Sequence, residues 1–161
     1  MAGEDLLGDG MIKVTYLLTL SNTSNPPASE LNAGVDLQQY ILKDGLGIEP
    51  DQSPVDNTSL ASKSETERAG TAKFAIELMC KRKLASGEDV AYNTLVPGQD
   101  GFLAVRRTKD NELAWVATDE AEIYPIQNGI RKKQQTALNE VQKFSSKLFN
   151  HTDSDIDAVV A

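Results

Sequence analysis

The sequence is short of the residues that most chemistry needs. It holds one cysteine, Cys80, and one histidine, His151. A lone cysteine forms no internal disulfide, and one of each cannot complete the usual four-ligand Cys/His zinc site. No apolar run approaches the roughly 18 residues that cross a bilayer. The opening "MAGEDLLGDG" carries acids where a secretory leader would carry cations, so the chain is expected to begin near Met1 and to stay in a cytoplasm. The glycines of "LGDG" and "DGLGIE" build neither G-x-G-x-x-G nor a Walker A loop, which leaves no phosphate cradle. A formal charge of −8 with sequence pI near 4.6 disfavours tight nucleic-acid binding, which needs clustered Lys and Arg.

What is present reads as a soluble, mostly β domain whose size suffices for its own core. "MIKVTYLLTL" places Ile12, Val14, Tyr16, Leu18 and Leu20 on one side of a half-buried strand. The stretch at about 21–34, with Pro26 and Pro27 adjacent, reads as an exposed loop. "VDLQQYILKDG" supplies a short strand ended by the turn pair Asp44-Gly45. From about 46 to 70 apolar periodicity is lost among prolines, hydroxyls and acids, giving a second long loop. "TAKFAIELMCKRK" alternates most cleanly, with Phe74, Ile76, Leu78 and Cys80 facing one way and Lys73, Glu77, Lys81 and Lys83 the other.

A short helix with Ser86 as N-cap is expected before Pro97-Gly98. "GFLAVRR" and "ELAWVATDEAEIYPI" read as strands about the turn "TKDN", and Asn128-Gly129 signals a tight reversal. Pro125 cannot donate a ladder hydrogen bond, so its strand should be an edge or bulged there. Residues 137–149 fit both periods. Leu138, Val141, Ser145 and Leu148 make a helical face towards which periodicity leans, while Phe144, Ser146 and Leu148 fit a strand. The end, about 150–161, is an arm whose "DAVV" run can add a strand.

Candidate chemistry is sparse. His151 beside Asp153 and Asp155 could orient an imidazole for acid–base work in a small hydrolase, although an exposed turn residue is the plainer reading. Cys80 on an apolar strand face is a buried small hydrophobe, Trp115 among aliphatics is core, and "TDEAE" lacks the ligand series of a calcium loop. No cofactor or metal is expected, and no enzyme. The residues that ask for explanation are Arg131, Lys132 and Lys133, three consecutive cations in an acidic chain. Either they form a solvated strand edge, or they meet the acids Glu49, Asp51 and Asp56 or Glu65 and Glu67 of a neighbouring copy, a heterologous contact that generates rings or filaments.

Taken in order, "LNAGVDLQQYILKDG", the acidic stretch, "RAGTAKFAIELMCKRK", "LVPGQDGFLAVRR" and "EIYPIQNGIRKKQ" resemble the tail tube (major tail) proteins of long-tailed siphophages, with order and spacing nearest those of actinobacterial phages. The resemblance covers nearly the whole chain. It implies a single tail-tube domain over 1–161, a sandwich or partial barrel of two antiparallel sheets with one flanking helix, and a strand near 137–149. It also implies hexameric rings stacked into a non-contractile tube, with the long loop and terminal arms bridging copies. The implied partners are further copies, the tape measure, tail terminator and distal tail proteins, and DNA passing without specific binding; no membrane is involved. The virion tail is the implied location, after a stay in the host cytoplasm. An electronegative lumen is implied, with Glu77, Asp119, Glu120 and Glu122 as its candidate acids. A contractile or secretion-type tube is the alternative.

Overall fold

The computed structural model describes residues 3–161, so the expected start at Met1 lies outside the described residues. Ten elements follow in order: β1 (Lys13–Leu17), α1 (Ala28–Asn32), β2 (Val35–Asp36), β3 (Ile41–Asp56), β4 (Glu67–Lys81), α2 (Val90–Thr94), β5 (Asp100–Arg106), β6 (Glu120–Lys133), β7 (Lys143–Asn150) and β8 (Asp155–Val159). The chain is mainly β, as expected, but all eight strands belong to one antiparallel sheet rather than two. Its order is β2-β1-β5-β6-β7-β4-β3, with β8 added to β6.

The sheet curls because residues 37–40 tie its two flanks together. The Leu37 N–H donates to the Val14 carbonyl in β1 (2.8 Å), and the Lys81 N–H of β4 donates to the Tyr40 carbonyl (2.7 Å). On the concave side Val14, Tyr16, Leu103, Val105, Tyr124, Ile126, Phe144, Leu148, Ile76, Leu78 and Cys80 share one buried cluster. Each is one of every second residue of its strand, as the period-2 pleat requires. A smaller core lies over the opposite side of β1, β5 and β6, built from Leu31 of α1, Trp115, Ala158 and Val160.

That second layer changes several expectations. β1 is buried on both faces, not half-buried, since Lys13, Thr15 and Leu17 lie beneath it. Trp115 is core as expected, and its indole N–H donates to Thr15 Oγ1 at 3.0 Å. The 21–34 loop contains α1, whose Asn32 side chain brackets the Trp115 backbone, donating to its carbonyl (2.9 Å) and accepting from its N–H (2.8 Å). Residues 112–119 are therefore not strand, because they turn to insert the indole. The C-terminal arm does add a strand, β8, as its apolar run allows.

The turn signals were misplaced for a common reason: both lie inside strands as bulges. At Asp44-Gly45 the β3–β4 register shifts between Ile41 and Leu46, and a Cβ on Gly45 would stand 2.3 Å from the Met79 carbonyl oxygen. Asn128 is buried, its amide donating to the Tyr16 hydroxyl (3.0 Å) and the Val96 carbonyl (3.1 Å), while β6 continues past it with a register shift to Arg131. Pro125 occupies the gap where β8 stops pairing with β6 at Ile123 and β7 begins at Ile126, so its missing N–H interrupts no ladder.

Residues 143–150 are strand β7, which settles the open choice against the helix. Leu138 and Val141 stand exposed in the preceding turn, so the apolar stripe that a helix would bury does not exist. Helix α2 starts at Val90 with Asp89 at the cap, three residues later than Ser86 would place it, and no side chain caps it. Among the described residues no helix is long and apolar enough to cross a membrane.

Candidate assembly surfaces

Residues 46–70 are not a loop. They form the outer part of the β3–β4 hairpin, paired in register from Leu46↔Leu78 to Asp56↔Glu67 and closed by the tip at 57–66. Residues 49–69 are all exposed, so the ladder stands clear of both cores. Backbone pairing rather than burial makes this strand, which is why apolar periodicity could not reveal it.

The hairpin carries the predicted acids. Glu49, Asp51, Asp56, Glu65 and Glu67 are exposed along it, and Asp56 directly opposes Glu67 across the ladder. Bonds from the Thr58 hydroxyl and N–H hold the Asp56 carboxyl below its ordinary value, so it keeps its charge beside Glu67. Like charges opposed on a hairpin are unfavourable in the isolated chain.

The cations gather where β4 ends. Lys81 pairs in register with Lys143, and Lys133 with Phe144, so the ends of β4 and β6 meet at the start of β7. This brings Lys81, Arg82 and Lys83 to the same sheet end as Arg131, Lys132 and Lys133, with Lys143 between them. Residues 81–83 and 143 were not foreseen as part of this site. The "KRK" was legible, but only the β4–β7–β6 pairing shows that it joins "RKK".

The three predicted cations differ in their surroundings. Arg131 and Lys133 share a face, as alternation requires, and both turn towards Tyr92 of α2. The Arg131 guanidinium lies 4.0 Å from the ring centroid and donates to the Tyr92 carbonyl at 2.8 Å. Arg82 stacks 3.8 Å from the same ring and pairs with buried Asp89 at 2.6 Å. Thus Arg82 and Arg131 clasp α2 to the sheet, each contact contributing on the order of 1 kcal/mol. Lys132 points the opposite way and is exposed. Among the described residues Lys81, Lys83, Lys132, Lys133 and Lys143 form no ion pair.

The four candidate lumen acids do not form one surface. Asp119 cannot line a channel, because its side chain is fully buried against Arg106 (3.1 Å) and Lys109. Burial alone would raise its carboxyl, but bonds from Lys109, the Val116 N–H and Arg106 outweigh that and hold it below the ordinary value. Glu122 is partly buried and bonded to Arg107 and to the Tyr124 hydroxyl (2.7 Å), which burial and this carboxylate together push to a higher pKa. Glu120 is exposed. Glu77 is exposed on β4 directly across from Lys147, on a face that also carries Lys73 and Lys81.

His151 is exposed at the end of β7, and neither Asp153 nor Asp155 hydrogen-bonds its ring among the described residues. Burial pushes the Cys80 thiol up to about 12, far from the thiolate that a nucleophile needs. No group of His, Cys, Asp and Glu suited to a metal ion occurs among the described residues.

No curated protein matches the chain. Among solved structures, a chain of the anti-feeding prophage baseplate, determined by cryo-electron microscopy with six-fold symmetrisation, shares the fold with a TM-score of 0.57 at 13% identity, over 96% of each chain. The phage tail tube protein family matches residues 1–161 in full. A continuous curled antiparallel sheet, a projecting acidic hairpin and a basic end opposite it are thus the features of a chain that belongs to the phage tail tube protein family.

Proposed function

We propose that this chain polymerises head to tail, the acidic hairpin of one copy seated on the basic end of the next, to build the tube of a phage tail. The observation that carries the reading is charge separation along one strand. β4 begins at Glu67, opposite Asp56 and beside Arg68, and ends at Lys81 just ahead of Arg82 and Lys83, its 15 residues spanning roughly 45 Å. Unlike patches at opposite ends of one molecule make a heterologous contact, which closes into rings or continues as a filament. Rings of six stacked into a tube combine both, and the six-fold-symmetrised baseplate of similar fold supports that number.

Within such a tube the wall facing the channel works best if acidic, because negative charge repels the phosphate backbone and lets DNA slide into the host. Once Asp119 is set aside, either Glu77 or the pair Glu120 and Glu122 is the candidate for that wall, since they lie on opposite faces of the sheet. The role is structural and non-catalytic, in a non-contractile virion tail, with the tape measure, terminator and distal tail proteins as neighbours and the host cytoplasm as the place of synthesis. A contractile or secretion-type tube would use the same fold and differ by binding a sheath.

The test is electron microscopy of the purified protein at rising concentration, with light scattering for mass. Hollow tubes of six-fold cross-section are expected. A Lys83→Glu, Lys132→Glu, Lys133→Glu variant should remain a folded monomer; Arg131 is spared because it holds α2. Normal tubes from that variant would remove the basic end from the interface, and a wild-type protein that stays monomeric throughout would sink the reading.

A further inference from the structure

The charged ends also carry the most exposed large apolar side chains among the described residues. Leu60, at the hairpin tip near Asp56, Lys63 and Glu65, and Leu84, directly after the "KRK" run, are both fully exposed, and Leu138 is 93% exposed. Leu84 and Leu138 leave the sheet at the same end, since the Arg82 N–H donates to the Gln142 carbonyl (2.8 Å) and the Gln134 N–H to the Lys143 carbonyl (3.0 Å). Val141, also exposed, lies in the second of these turns. Two turns at the basic end thus present exposed apolar side chains at the same sheet end as Lys81, Lys83, Lys132, Lys133 and Lys143.

From this we infer that Leu60 of one copy inserts among Leu84, Leu138 and Val141 of the next copy and supplies the affinity of the contact. This rests on the head-to-tail reading and deepens it. Exposed ion pairs contribute little net free energy and mainly select partner and register. Affinity in interfaces comes from a few desolvated side chains enclosed by a polar rim. The basic end offers exposed apolar side chains beside five lysines, and the tip offers one leucine on a hairpin end where Asp56, Glu65 and Glu67 outnumber Lys63 and Arg68. Scattered exposed leucines are common singly, but the three most exposed ones, Leu60, Leu84 and Leu138, lie at the two charged ends.

Two variants test it. Leu60→Ser leaves every charge and the hairpin ladder intact, and should raise the concentration needed for tube assembly roughly tenfold or more, the loss typical of a hot-spot truncation. A chain with both Leu60→Cys and Leu84→Cys should, once assembled and mildly oxidised, give a ladder of disulfide-linked multimers, because each copy donates one tip and accepts another. A mixture of the two single variants should stop at dimers, and Cys80, being buried, stays silent. Wild-type assembly by Leu60→Ser, or tubes of the double variant without a ladder, would overturn this inference and leave the head-to-tail reading standing. Dimers from Leu60→Cys alone would show tip-to-tip contact and overturn it as well. Failure of the wild-type chain to form tubes would overturn both.

Discussion

The Arg106 guanidinium stands 3.1 Å from the Asp119 carboxylate with both side chains fully buried. The same guanidinium donates to the carbonyls of Asp110, Leu113 and Ala114, so the segment between β5 and β6 is wrapped around one cation. This wrapping delivers Trp115 to the second core.

Breaking one partner of that pair leaves the other buried and uncompensated. Asp119→Asn should cost about 3–5 kcal/mol in urea unfolding, a large share of a typical domain's stability. The sign of its pH dependence follows from a folded pKa below the unfolded value of about 3.9. The stability is complete above that value and is lost as pH falls through the lower folded one. Unfolding free energy followed from pH 5 downwards should therefore drop steeply in the wild type below about pH 4 and less steeply in Asp119→Asn. Identical acid limbs would remove Asp119 as the source.

Cys80 should be inert to thiol reagents while the chain is folded. With its thiol pushed up to about 12 and no exposed surface, labelling at neutral pH should proceed only through unfolding and accelerate in denaturant. Fast labelling of the native protein would mean that β4 opens locally.

Gly45 is required by close approach at its bulge. Gly45→Ala would drive a methyl into the Met79 backbone and should destabilise by about 1–3 kcal/mol, the usual cost of overpacking. Gly87, which has open space around it, should accept alanine with little change in the same unfolding assay.

Assembly should respond to salt. The contact joins exposed charges, and screening shortens their reach from about 30 Å at 0.01 M to about 10 Å at 0.1 M ionic strength. The concentration at which tubes first appear by light scattering should therefore rise with sodium chloride. A threshold indifferent to salt would argue against the charged ends as the guiding contact.

Strands that bury one face were legible in advance, β4 most of all, because alternation leaves a period-2 trace in Phe74, Ile76, Leu78 and Cys80. Elements without such a trace were not. The β3 ladder beyond Glu49 is held by backbone pairs in solvent, and α1 is too short to show a period. At Asn128-Gly129 local turn propensity lost to tertiary demand, since the buried Asn128 amide is used to bind Tyr16 and Val96.

By itself, the sequence determined a mainly β chain, a buried inert thiol, an indole in the core and clusters of like charge, since hydrophobic pattern and charge are local properties. Only the tertiary structure decided that Asp119 is an internal counter-ion and that Arg131 clasps Tyr92 while Lys132 faces water. It alone brings "KRK" and "RKK", about 50 residues apart in the chain, to one sheet end. Which charges are spent inside the molecule and which remain for a partner depends on register and curl, and both are set by contacts between strands distant in sequence.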